Sequence, residues 1–111
     1  MSHAVRLSEL AISDLVALHR WVAAEATPAI ADGYIDRIET RIAALAEFPD
    51  RGTPRDDLAP GLRTLSFERR LLIAYRIDGG TVLVLRVISA QRELAPFLAD
   101  PACNVGFRLL G

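Results

Sequence analysis

RRLLIAYRIDGGTVLVLRVISAQRE, Arg69 to Glu93, is the stretch on which the fold turns. It reads as two strands, about Arg70–Ile77 and Val82–Ser89, joined at Asp78-Gly79-Gly80. Glycine supplies the positive φ that tight hairpin turns need. Strand side chains alternate between faces. Leu71, Ile73, Tyr75 and Ile77 therefore share a face with Val82, Val84, Arg86 and Ile88. Leu72, Ala74 and Arg76 share the other with Leu83, Leu85, Val87 and Ser89. An antiparallel sheet with one face in water alternates apolar and polar residues. This hairpin is apolar on both faces, and it is punctuated by Arg69, Arg70, Arg76, Arg86 and Arg92.

Upstream, Leu62–Phe67 reads as a further strand, preceded by the loop PDRGTPRDDLAPG, Pro49 to Gly61. Before that loop the apolar period changes to that of helices. Ala11, Leu15, Leu18 and Val22 mark one helix over about Glu9–Ala26, with Ser8 as its N-cap and Glu9 in the first turn. Thr27-Pro28 restarts the chain as cap and first-turn proline. Ile35, Ile38, Ile42 and Leu45 form the stripe of a second helix, which Phe48-Pro49 ends. Ala4–Leu7 is a short strand, and Gln91–Leu98 has the pattern of a short last helix. The expected fold is α+β, in the order β-α-α-β-β-β. A helical hairpin packs on one face of a four-stranded antiparallel sheet. Residues 1–98 form one domain, followed by a tail over 99–111.

Two helices cover one sheet face. The second needs either the tail, with Val105, Phe107, Leu109 and Leu110, or another protein. A buried arginine on such a face needs a carboxylate or carbonyl partner. For Arg76 and Arg86 the alternatives are an internal ion pair, with Asp14, Glu39 or Glu93, or a docked acidic segment.

Composition narrows the function classes. The chain has 111 residues, 51% of them apolar, and a net charge of −1. It is large enough for a core and has no global basic field that demands nucleic acid. All 13 basic side chains are Arg. Cys103 is the single cysteine, so an internal disulfide is excluded, which suits a reducing cytoplasm. No leader pattern opens the chain, and no apolar run approaches the roughly 18 residues of a membrane span. The expectation is a small soluble cytoplasmic domain. One Cys and two His argue against a metal site, and no cofactor motif is present. Cys103 and His19 are linked by no nucleophile motif.

The ordered set of pieces resembles the RelE/ParE superfamily of bacterial type II toxins. The pieces are Leu7-Ser8, Asp14-Leu15, the Ile38–Leu45 stripe ending in Phe48-Pro49-Asp50-Arg51-Gly52, Pro60-Gly61-Leu62-Arg63, Leu72-Ile73-Ala74-Tyr75-Arg76-Ile77 and Val84-Leu85-Arg86-Val87-Ile88. The likeness runs over about residues 4–98, and the tail after Asp100 looks like an addition. The superfamily has two branches. RelE-like toxins cleave mRNA on the ribosome, and ParE-like toxins inhibit DNA gyrase without nuclease chemistry. Carried over by position, the nuclease pattern keeps Arg63 and Arg92. It loses its other basic positions at Leu65 and Leu72 and its C-terminal tyrosine near Phe97-Leu98. The resemblance therefore implies a ParE-like gyrase inhibitor, with a RelE-like endoribonuclease or a degenerate toxin that only binds antitoxin as alternatives. It further implies a cognate antitoxin, in a toxin–antitoxin hetero-oligomer, lying across the sheet. The expected contacts are Leu72, Arg76, Leu83, Leu85 and Val87, with Arg86 on the opposite face. Arg63 and Arg92 are the expected target-binding or residual basic pair. No metal, membrane or sequence-specific nucleic-acid contact is implied.

Overall fold

The computed structural model describes residues 3–110; Met1, Ser2 and Gly111 lie outside the described residues. β1 (Ala4–Leu7) leads into α1 (Glu9–Glu25) and α2 (Pro28–Ala43). β2 (Thr53–Pro54), β3 (Arg63–Phe67), β4 (Leu71–Asp78) and β5 (Thr81–Ser89) follow, then α3 (Ala95–Leu98) and β6 (Arg108–Leu109). The sheet order is β2-β3-β4-β5-β1-β6.

Local chemistry explains the boundaries. The Ser8 hydroxyl accepts from Ala11 N at 3.0 Å and so caps α1. Thr27 caps α2 by accepting from Ile30 N at 3.1 Å, with Pro28 in the first turn. The β4–β5 turn has Gly79 at φ 58°, a left-handed conformation that costs glycine nothing.

The α+β class and the meander β3-β4-β5 are as the sequence implies. The sheet departs from four antiparallel strands in two ways. β1 runs parallel to β5, with Ala4 opposite Thr81 and Leu7 opposite Val84, so the sheet is mixed. No hairpin turn joins the two strands; α1, α2 and β2 to β4 lie between them in the chain, so nothing forces a reversal. Two-residue strands add to both edges. β2 comes from the segment expected to be loop, and its Pro54 is tolerated because that strand is an edge. β6 comes from the tail and pairs antiparallel with β1.

A third departure changes the faces. Tyr75 pairs with Val84 but Ala74 pairs with Arg86, so Leu85 is an extra residue in β5. Such a bulge turns the rest of its strand over. Alternation as expected holds up to Leu85 and reverses afterwards. Val87 joins Val82, Val84, Leu71, Ile73 and Tyr75 under the helices, against Leu15, Ile38, Ile42 and Leu45. Ile88 goes to the other side with Leu83, Leu85 and Ala74.

Candidate functional site

The second face of the sheet is closed by the chain itself. Leu83, Leu85, Ala74 and Ile88 pack against Leu62, Leu94 and Cys103, with Leu10, Leu58, Phe97, Leu98 and Phe107 around them. The tail then turns at Gly106, whose φ is 68°, and adds β6 beside β1. Leu110 N donates to Val5 O at 3.0 Å, and the Leu110 side chain packs against the helix-side core. The tail supplies only part of this cover, through Cys103 and Phe107; Val105 and Leu109 are exposed and Leu110 goes to the helix side. Leu83, Leu85 and Val87, expected on a partner-facing surface, are buried within the single chain, and Val87 faces the helices because of the bulge. Leu72 stays half-buried at the margin of the second face.

Arg86 is committed internally. Its Nε and Nη2 donate to the two carboxylate oxygens of Asp14 at 2.8 and 2.7 Å. Its Nη1 donates to Phe97 O at 3.2 Å, and the guanidinium lies 5.0 Å from the Phe97 ring centroid. The two side chains are only 11% and 14% exposed. The forked pair holds the Arg86 pKa above its ordinary value, so the group stays cationic. The Asp14 carboxylate also accepts from Val87 N at 2.9 Å, and the Ser8 hydroxyl donates to Leu85 O at 2.7 Å. Both backbone groups belong to the bulged part of β5, past the end of β1. Helix α1 thus does there what a neighbouring strand would do. Sequence reasoning named Asp14 among three partners for this arginine, and only the bulge explains the choice.

Arg76 is different. It is half-exposed and reaches Asp78 at 3.8 Å and Asn104 Oδ1 at 3.4 Å, both weak contacts at the rim of the second face. Arg63 donates to Gly52 O at 2.9 Å and Asp50 O at 3.1 Å. Beside it, Tyr75 accepts from Gly52 N at 2.7 Å and donates to Pro49 O at 2.6 Å. Burial raises the Tyr75 pKa, so the phenol keeps the proton it donates. Gly52 is required here, since a Cβ would lie 2.5 Å from the tyrosine oxygen. Arg92 lies beyond Ser89, which pairs with Leu71, whereas Arg63 pairs with Tyr75. The two arginines that match the nuclease pattern are therefore set apart along the strands, by more than the roughly 13 Å between Leu71 and Tyr75 of β4.

An open apolar groove remains on the helix side. It has a volume of about 340 Å³ and is lined by Ile12, Leu15, Val16 and His19 of α1, Ile35 and Glu39 of α2, and Arg108, Leu109 and Leu110 of the tail. His19 Nε2 and Asp32 Oδ1, 2.7 Å apart, tie the two helices beside it. Sequence reasoning missed this groove, because one side of it is closed by tail residues that carry no periodic signal. Among the described residues no His, Cys, Asp or Glu cluster fits a metal ion. No helix among them is long and apolar enough to cross a membrane.

A family model described as the ParE toxin of the type II toxin–antitoxin system parDE matches residues 5–94. Toxin ParE3 of Caulobacter vibrioides (strain ATCC 19089 / CIP 103742 / CB 15) is 38% identical over 66 residues, which are 60% of this chain and 65% of that protein. The matched stretch is thus just under two thirds of that relative's length. A solved structure described as the chromosomal ParDE TA system from P. aeruginosa has the same fold. The TM-score is 0.72 at 23% identity, over 81% of this chain and 98% of that chain.

Proposed function

The chain belongs to the ParE toxin family of type II toxin–antitoxin systems, and from that premise we propose that it inhibits DNA gyrase in the cytoplasm and is silenced by a cognate antitoxin. The observation that carries the reading is the family match over residues 5–94, which includes every element from β1 to β5. The non-enzymatic branch is favoured by the state of the surviving basic pair. A phosphoryl-transfer site needs its cations within reach of one phosphate. Arg63 is engaged by backbone carbonyls, and Arg92 sits apart from it along the strands, beyond Ser89.

The antitoxin contact moves from the closed second face to what is open. The groove between α1, α2 and β6 offers apolar walls for an amphipathic segment. Arg76 and Leu72, at the margin of the second face, remain available to a segment that continues around the sheet. Arg86 contributes indirectly, by holding β5 to α1.

The test uses the purified full chain in two assays. Supercoiling by gyrase is expected to be blocked, and blocking is expected to disappear when a cognate antitoxin is added. Translating ribosomes are expected to keep their mRNA intact. Cleaved mRNA with unimpaired supercoiling would place the chain with the RelE-like nucleases instead.

A further inference from the structure

Five arginines are matched by carboxylates within the chain: Arg37 by Glu68, Arg55 by Asp57, Arg63 by Asp50, Arg76 by Asp78 and Arg86 by Asp14. Three others gather at one end of the sheet with no ion pair among the described residues. Arg69 and Arg70 lie in the β3–β4 turn, and Arg92 follows β5. Ala90 N donates to Arg70 O at 2.9 Å, which sets these two turns side by side. All three side chains are exposed.

The backbone beneath them is strained. Arg70 N donates to Phe67 O at 3.0 Å and closes a turn whose central residues are Glu68, at φ 49°, and Arg69, at φ 61°. Hairpin turns of this hand favour Asn-Gly, because other side chains crowd the backbone in the left-handed region. Glu68 recovers part of that cost through two hydrogen bonds from Arg37, at 3.0 and 3.3 Å. Arg69 recovers none among the described residues. Its neighbour Arg92 is oriented by the Phe97 ring, whose centroid lies 5.8 Å from the guanidinium carbon.

We propose that this tip, Arg69, Arg70 and Arg92, is a contact surface for an acidic segment of the protein that the toxin acts on. It rests on the toxin reading for the identity of that target, and on the charges alone for its chemistry. Guanidinium forks engage carboxylates two oxygens at a time, and a strained turn that projects one of them gives direction as well as charge. A nucleic acid fits less well. Three arginines at one tip do not make the extended basic stripe that follows a phosphate backbone, and the chain as a whole carries −1.

The probe is a fluorescein-labelled alternating Asp-Glu decapeptide, titrated with the full chain by anisotropy at low salt. A labelled single-stranded DNA serves as the competing class. Peptide affinity is expected to fall about tenfold or more in Arg69→Glu/Arg70→Glu/Arg92→Glu and to hold in the distant exposed control Arg20→Glu. Equal peptide binding by the triple variant overturns the proposal. So does DNA binding that is tighter than peptide binding and lost with the same three charges. A second variant, Glu68→Asn/Arg69→Gly, relieves the turn. It is expected to melt higher than wild type and bind the peptide more weakly; unchanged peptide binding shows a turn and nothing more. With gyrase as the target, the triple variant is expected to lose inhibition while keeping the antitoxin. The peptide titration needs no gyrase, so the tip and the toxin reading are judged separately.

Discussion

The two faces of the sheet are equally apolar and are covered in different ways. On one, α1 and α2 lay periodic stripes across the strands, and Ile38, Ile42, Leu45, Ile73, Tyr75, Val82 and Val84 are fully buried. On the other, the cover is irregular chain. Leu62, Leu94 and Cys103 are its buried anchors, and Asn104, Val105 and Gly106, between Cys103 and Phe107, are exposed. A helix returns a side chain to the same face every three or four residues, whereas an irregular segment places anchors one at a time. The helix face is therefore a single packed unit. The tail face is a set of separate attachments, and it is the more easily stripped of the two. Asp14 and Arg86 join them, since one partner stands on α1 and the other beneath Phe97.

The largest effect is expected at that seam. Asp14→Ala leaves Arg86 buried without its carboxylate and is expected to cost about 3–5 kcal/mol in urea denaturation. Asp14→Ala/Arg86→Met is expected to recover a good part of this, because the uncompensated charge is gone. Equal losses in both variants would show that the hydrogen bond to Val87 N, and not the ion pair, holds the seam.

Next comes removal of the tail cover. Ending the chain after Leu98 deletes Cys103, Phe107 and β6 and uncovers Leu83, Leu85 and Ile88. The expected loss is about 3 kcal/mol, with concentration-dependent self-association in sedimentation as the open face finds a partner. A monomer of undiminished stability would mean that the tail face does not need its cover.

Tyr75→Phe probes the helix face from below. It removes the acceptor for Gly52 N and the donor to Pro49 O, at an expected cost of about 1–2 kcal/mol. Hydrogen exchange is expected to quicken at Gly52 while the α1 and α2 amides stay protected. Quickening across both helices would show that the anchor supports the whole face.

The smallest effect is a pH slope on the tail face. Burial pushes the Cys103 thiol above its ordinary 9.0. A raised acid binds its proton more tightly in the folded state. Its contribution to stability is complete below pH 9.0 and is lost as pH climbs through the raised value. Cys103→Ser keeps a donor to Phe97 O and is expected to flatten that part of a stability series run between about pH 8 and pH 10. An unchanged slope would assign it to the tyrosines, Tyr34 and Tyr75, which burial also raises.

Much of this was legible in the residues. Ser8 and Thr27-Pro28 mark helix starts because their side chains and ring solve a local hydrogen-bond problem that any context shares. The helix stripes and the Gly79 turn are local in the same sense. The apolar character of both hairpin faces was legible too, and with it the need for a second cover. Three features were not. The parallel pairing of β1 depends on contacts between residues about 80 positions apart. The bulge at Leu85 leaves no mark in an unbroken apolar run, where either face accepts the next residue; only the partners on α1, Ser8 and Asp14, make the extra residue stable. The identity of the cover was decided partly by the tail, whose scattered anchors have no period to read, and the fate of Arg86 by the bulge that brings it to Asp14 on α1. Sequence alone determined which surfaces must leave water. Tertiary structure decided what they meet, because burial is demanded by each residue's own chemistry and satisfied by whichever distant segment arrives in register.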